Sequence, residues 1–220
     1  MNISIKDILQ RIRPFFILYL LLLCACFIIK ILYTKEQIYF AVNERNCEFA
    51  DWIAPYITDI GNGWTTIALS ALLLLFNYRA AFLLATAYAV TSLFAQVLKF
   101  IFDKPRPTLL FKDQLSRIHL VPGVDMLKYN SFPSGHTVSA FSAAIVILYI
   151  TKNKNWSVPL LILAVLIGYS RMYLSQHFFE DVMAGSVVGV FIAIFWLSYI
   201  GQKKFLNSPQ WSNGLIRKSK

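Results

Sequence analysis

The sequence predicts an all-α fold, a six-span transmembrane helical bundle with interfacial helices. Three observations predict it. Of 220 residues 57% are hydrophobic and the mean hydropathy is +0.57, too apolar for an ordinary soluble domain. Six apolar runs, separated by polar or turn-forming stretches, approach the roughly 20 residues a membrane-crossing helix needs. Little charge falls inside those runs; most of it stands at their ends, where it costs least.

Residues 1–14 read as an amphipathic segment on the membrane face. Ile5, Ile8, Leu9 and Ile12 recur at helical spacing, with Lys6, Arg11 and Arg13 between them. The first span follows, from Phe15 to about Tyr33. A basic flank before an apolar run also describes a signal peptide, but this run is long for one and lacks a good small-residue site after it. Residues 34–63 form a polar connection, inside which Trp52, Ile53, Tyr56, Ile57 and Ile60 make an apolar stripe suited to the interface. Gly61-Asn62-Gly63 ends that helix. The second span runs from about Trp64 to Phe76 and the third from about Ala80 to Phe102. A long loop, about 103–133, holds Pro105, Pro107, Pro122 and Pro133; loops of this length are usually functional. The fourth span is expected from His136 to Ile150, the fifth from Trp156 to Ser170, and the sixth from Asp181 to Ile200. Gly185 and Gly189 on the sixth, with Ser139, Ala140, Ala143 and Ala144 on the fourth, predict close helix packing. A basic tail, 201–220, ends with Arg217, Lys218 and Lys220 and reads as solvated.

The net charge is +10. In a membrane protein that balance favours anionic lipid surfaces or anionic substrates. No basic block is long enough to suggest a nucleic-acid face. Cys24 and Cys26 lie in an apolar run and Cys47 in a polar loop, which gives neither a disulfide framework nor metal-ligand spacing.

Three clusters carry chemistry. Lys99 ends the third span, with Arg106-Pro107 just beyond it. Pro133-Ser134-Gly135-His136-Thr137 opens the fourth span. Ser170-Arg171 and His177 to Asp181 lie between the fifth and sixth. Ends of odd spans and starts of even ones share a side of the membrane, so six spans bring all three clusters to one face. Taken singly each has an ordinary reading: Lys99 a snorkelling side chain, Ser134 an N-cap, His177 and Asp181 an ion pair. Together they suit phosphate. Guanidinium groups bind phosphate oxygens as a fork, and a helix N-terminus with a glycine offers free N–H groups to an anion. If helical, His177 and Asp181 share a face, and an aspartate on one ring nitrogen leaves the other free to attack or accept a proton. His119, in the long loop, reads as solvated or interfacial.

In this order the clusters resemble the type 2 phosphatidic acid phosphatase family. Its pattern is K-x6-R-P, P-S-G-H and S-R-x5-H-x3-D, and every position is filled at the right spacing between Lys99 and Asp181. The resemblance implies a six-helix membrane phosphatase domain over 15–200, with active-site loops 99–136 and 170–181. It implies a metal-independent hydrolase that works through a phosphohistidine, with no cofactor. His177 would be the nucleophile, Asp181 its orienting carboxylate and His136 the general acid and base. Lys99, Arg106, Ser134, Gly135 and Arg171 would bind the phosphoryl oxygens. No carboxylate cluster is placed to hold Mg²⁺ there; only Asp103, Glu180 and Asp181 are near in sequence. The substrate would be a membrane lipid phosphate presented from the bilayer: undecaprenyl pyrophosphate, phosphatidylglycerol phosphate or phosphatidate, with lipid A as the alternative. A non-catalytic carrier of phospholipid headgroups would need the cations but not the two histidines. The motifs do not distinguish these lipids, nor fix an oligomeric state. Setting aside Lys99, Arg106 and Arg171 as substrate-held, the remaining Lys and Arg put both termini in the cytoplasm and the clusters on the outer face of a bacterial inner membrane.

Overall fold

The computed structural model describes residues 4–216; the basic residues Arg217, Lys218 and Lys220 lie outside them. Ten α-helices and four short 3-10 turns make up the regular structure there, with no strand among the described residues. In chain order the helices are α1 (Ile5–Arg11), α2 (Arg13–Leu32), α3 (Lys35–Asn43), α4 (Glu48–Ile60), α5 (Gly63–Leu74), α6 (Tyr78–Phe102), α7 (Pro107–Leu110), α8 (Gly135–Thr151), α9 (Ser157–Tyr173) and α10 (Phe179–Gly201).

Local chemistry sets several of the ends. Ser4 with Asp7 and Thr34 with Gln37 form capping boxes on α1 and α3. Asn62 and Asn77 accept the first free N–H groups of α5 and α6. Four stretches are long and apolar enough to cross a membrane: α2, α6 with its continuation through α7, α9 with the turn before it, and α10; α5 and α8 are shorter apolar helices. The six expected spans are thus six apolar helices, shifted by a few residues at their ends.

The centre is α8, packed on α6, α9 and α10. The glycines of α10 permit the closest contact. A Cβ at Gly185 would lie 2.7 Å from the Ser134 carbonyl oxygen, and one at Gly189 2.7 Å from that of Val138. Only residues without a side chain let the backbones of α8 and α10 approach so nearly. The main core joins Tyr19, Leu84, Ile145, Leu148 and Leu197 to Ile8, Ile12 and Phe15. The first turns of the chain therefore do more than lie on the membrane face: α1 packs into one end of the bundle, and Arg11 stacks 4.7 Å over Tyr149. By contrast, most of α2 remains exposed, as an outer span facing lipid would.

Two details position the site. With 12 residues, α5 is about 18 Å long, well short of the ~30 Å hydrocarbon thickness. Its start, Gly61-Asn62-Gly63, is accordingly drawn inward, and a Cβ on Gly61 would lie 3.1 Å from the His136 carbonyl oxygen. In α4 the expected apolar stripe faces outward. Trp52, Tyr56 and Ile60 are exposed, while Ala54 and Thr58 are buried and α4 packs on α9. In a membrane the small and polar side of a helix seeks protein, because lipid is as apolar as any core.

Candidate active site

The three clusters meet at one end of the bundle. Arg106 is pinned by three of its own bonds. Its Nε donates to the Tyr129 carbonyl at 2.9 Å; its Nη1 donates to the Gln176 carbonyl at 2.9 Å and to Gln176 Oε1 at 3.0 Å. Gln176 Nε2 donates in turn to the Asp125 carbonyl at 2.8 Å. One buried amide thus ties the long loop, Arg106 and the stretch before His177 together. Lys99, one turn from the end of α6, donates to the Asn130 carbonyl at 2.6 Å. Arg171 Nη1 donates to Thr58 Oγ1 at 2.9 Å, while its buried Nε finds no partner.

His177 does not share a helix with Asp181. It lies in the short stretch between α9 and α10, and Asp181 stands in the first turn of α10. The chain still brings them together: His177 Nδ1 is 3.6 Å from Asp181 Oδ2, with both side chains buried. The same carboxylate oxygen accepts from Ser131 Oγ at 2.6 Å and from the Phe178 N–H at 2.8 Å. Those two bonds fix Asp181 as the cap of α10 and aim it at the ring. Burial pushes the His177 imidazole well below its ordinary value of 6.5, and the nearby Arg106, Arg171 and Lys99 push it further the same way. It is therefore a neutral imidazole under three cations, the form that can attack phosphorus.

Ser134 stands at the N-cap of α8, but its side chain forms no cap bond there; its Oγ accepts from Thr137 Oγ1 at 2.9 Å instead. Its N–H donates to the Asp181 carbonyl at 2.9 Å, which locks the second cluster to the third. A Cβ on Gly135 would meet nothing within 4 Å. There is thus free space beside the first turn of α8, whose first N–H groups have no partner within the helix. His136 lines two cavities. One, of 190 Å³, lies among α5, α6 and α8 and includes Lys99; the other, of 340 Å³, lies against α4 and the 123–127 loop and includes Arg171 and Gln176.

Other polar groups nearby serve the frame. Glu180 pairs with Lys35 at 2.5 Å and Lys30 at 3.3 Å. His119 is tied down: its Nε2 lies 2.9 Å from Asp51 Oδ1, and Asp51 also accepts from the Tyr173 hydroxyl. Burial raises the Asp51 pKa, but the bonds from Tyr173 and His119 outweigh it and hold the carboxyl below its usual range. No group of three or more His, Cys, Asp or Glu that could hold a metal occurs among the described residues. Thr58, Ser131 and Gln176 are site residues that the sequence reading missed. Ser131 lies three residues before Ser134 in a proline-bearing loop; for Thr58 and Gln176 the sequence carries no signal of its own.

Residues 80–205 match the family model of the PAP2 superfamily. The chain belongs to that family. The three clusters, α8, α9, α10 and nearly all of α6 fall within the matched region, while α2 and α5 precede it. Among similar PAP2 proteins is an undecaprenyl-diphosphatase from Sulfolobus acidocaldarius, 26% identical over 84% of this chain and 88% of that protein. A shorter match, 40% identical, covers 33% of this chain and 38% of a bacitracin transport permease protein, BcrC, from Bacillus licheniformis. Of solved structures, LpxE from Aquifex aeolicus superposes with a TM-score of 0.66 at 28% identity, over 74% of this chain and 94% of that one.

Proposed function

We propose that this protein is an integral membrane lipid phosphatase that removes phosphate from a polyprenyl diphosphate through a phosphohistidine. The observation that carries the reading is the neutral, buried His177, backed by Asp181 and surrounded by Lys99, Arg106 and Arg171. The substrate phosphoryl group lies among the three cations and the N-terminus of α8, with Ser134 and Gly135 at its edge. His177 Nε2 attacks phosphorus, and the bond from phosphorus to the leaving oxygen breaks. That oxygen takes a proton from His136, whose protonated form the negative charge of the bound phosphate favours. Asp181 stabilises the charge that develops on the His177 ring. Water then attacks phosphorus, His136 takes the water proton, the P–N bond breaks, and inorganic phosphate leaves. Guanidinium and ammonium groups neutralise the transferring phosphoryl oxygens in both steps.

The diphosphate is favoured because the Sulfolobus relative, an undecaprenyl-diphosphatase, aligns along nearly the whole chain. The charge distribution supports a site on the outer face of a bacterial inner membrane, with both termini cytoplasmic. The lipid then presents its phosphate from the outer leaflet, with its tail still in the bilayer.

The test is phosphate release by purified protein from undecaprenyl diphosphate, phosphatidylglycerol phosphate, phosphatidate and lipid A in matched micelles. The diphosphate is expected to be hydrolysed fastest, and quenching in alkaline denaturant, where the P–N bond survives, should trap phosphate on His177. Release from none of the four, or label retained on histidine in His177→Ala, would refute the function or the nucleophile respectively.

A further inference from the structure

One face of α6 runs past two cavities. At the site end Tyr88, Ser92, Gln96 and Lys99 line the 190 Å³ cavity that reaches His136. At the far end Tyr78, Ala81, Phe82 and Ala85 line a 650 Å³ groove shared with α5 and Trp211. Apart from the adjacent pair Ala81 and Phe82, successive positions are three or four residues apart, so both sets lie on one side of the helix. The face is polar where it meets Lys99 and His136 and apolar where it meets α5. From Tyr78 to Lys99 it is about 31 Å long at ~1.5 Å per residue.

The far end is closed by the chain's own C-terminal segment. Tyr78 N–H donates to the Asn213 carbonyl at 2.8 Å, and Leu215 N–H to that of Leu74 at 3.0 Å. Trp211 packs edge-on against Phe82 with ring centroids 5.1 Å apart. Small residues open the groove between these ends. Ala71 on α5 and Ala85 on α6 both line it, and both are exposed.

We propose that this face of α6 seats the hydrocarbon chain of the substrate, and that the chain is a polyprenyl long enough to pass from one leaflet into the other. The inference rests on the lipid-phosphatase reading and adds the chain as a second determinant. A phosphate held at Lys99 places the chain at the polar end of the α6 face. A diacyl lipid anchored there stays in one leaflet, about half of the ~30 Å hydrocarbon thickness, and ends near Tyr88 and Ser92. Only a longer chain continues into the groove beside Ala85 and Trp211. The occupant follows from placement and length: both cavities lie on one side of α6, separated where Tyr88 packs against Gly63, and the two together match the bilayer in length.

Ala85→Trp, and separately Ala71→Trp, fills the groove from an exposed position without disturbing the core. The measurement is the ratio of kcat/KM for undecaprenyl diphosphate to that for farnesyl diphosphate, whose short chain stops before the groove. Each variant should lower that ratio about tenfold, the scale on which apolar pockets discriminate, while Leu21→Trp on the outer side of α2 should leave it unchanged. An unchanged ratio in the groove variants overturns the inference. A second measurement separates the two readings. Undecaprenyl diphosphate carrying a diazirine on its last isoprene, bound to His177→Ala and irradiated, should label the segment around Trp211. Labelling there by a protein whose wild type releases no phosphate keeps the groove and removes the phosphatase. Phosphate release with labelling elsewhere removes the groove alone.

Discussion

Gln176→Leu tests whether a residue outside the recognisable pattern governs the phosphate site. The Gln176 side chain is 3% exposed and accepts from Arg106 Nη1 at 3.0 Å. Leucine keeps much of the volume and removes that bond. A hydrogen bond to a charged group contributes about 1.5–3 kcal/mol. The backbone bonds to Tyr129 and Gln176 remain, so Arg106 stays near its place but is free to turn about them. If the whole loss appears in how firmly the guanidinium meets the transferring phosphoryl group, kcat/KM falls about tenfold to a hundredfold. The bond from Gln176 Nε2 to the Asp125 carbonyl is lost too, so a fall in thermal midpoint alone would be uninformative. The decisive assay is a double-mutant cycle in phosphate release with Arg106→Ala. Without Arg106 the amide oxygen has no guanidinium to hold, so the double variant should match Arg106→Ala within about twofold. Losses that multiply would refute the reasoning and make Gln176 a residue of structural importance only.

Four further outcomes are expected. With histidine as nucleophile and cations as phosphate ligands, activity should survive EDTA and be inhibited by vanadate; loss in EDTA restored by Mg²⁺ would overturn the mechanism. His136→Ala should slow turnover most for substrates with poor leaving groups, since protonating them is its proposed task; equal slowing across a leaving-group series removes that role. The depressed His177 pKa means the folded protein holds a neutral ring, so stability is complete above the unfolded value near 6.5 and is lost as pH falls below it. The thermal midpoint of the wild type should therefore drop more steeply than that of His177→Gln between about pH 7 and about pH 5, and equal slopes would contradict it. Finally, in cysteine-free protein on intact spheroplasts, an impermeant thiol reagent should label a cysteine placed in 108–130 and spare one in 205–215. The reverse pattern would put the site on the cytoplasmic face.

Much of this was legible in the sequence, and for identifiable reasons. Span-length apolar runs are read from composition, and the glycine pair of α10 from its spacing. The odd-even rule of a six-span chain placed the clusters on one face before any distance was known. What escaped the sequence depends on folding back. His177 and Asp181 are close because the chain breaks at Leu174 and restarts at Phe179, and not because a helix carries both. Thr58 sits on the face of α4 opposite the apolar stripe, which turns toward lipid where a soluble helix would bury it. His119 found Asp51 across about seventy residues of sequence, a pairing no local pattern announces.

The buried groups that lack partners bring these parts into one argument. Among the described residues four buried side-chain atoms lack a hydrogen bond: Tyr149 Oη and Ser157 Oγ, away from the site, and Arg171 Nε and His177 Nδ1, in the candidate site. Leaving such groups unmade costs about 1–3 kcal/mol each, and native interiors rarely keep them without a functional reason. The surrounding frame is satisfied by contrast. Asp181 accepts from Ser131 and Phe178, Arg106 donates to Tyr129 and Gln176, and Lys99 donates to Asn130. A phosphoryl oxygen against Arg171 Nε, and contraction of the 3.6 Å separation between His177 and Asp181 as the ring gains charge, would satisfy both orphans at once. On the proposed mechanism, the two unsatisfied groups in the site are those that gain partners as phosphorus is transferred. An interaction stronger in the transition state than before it lowers the barrier, and on the proposed mechanism the fold holds Arg171 and His177 in place for that step.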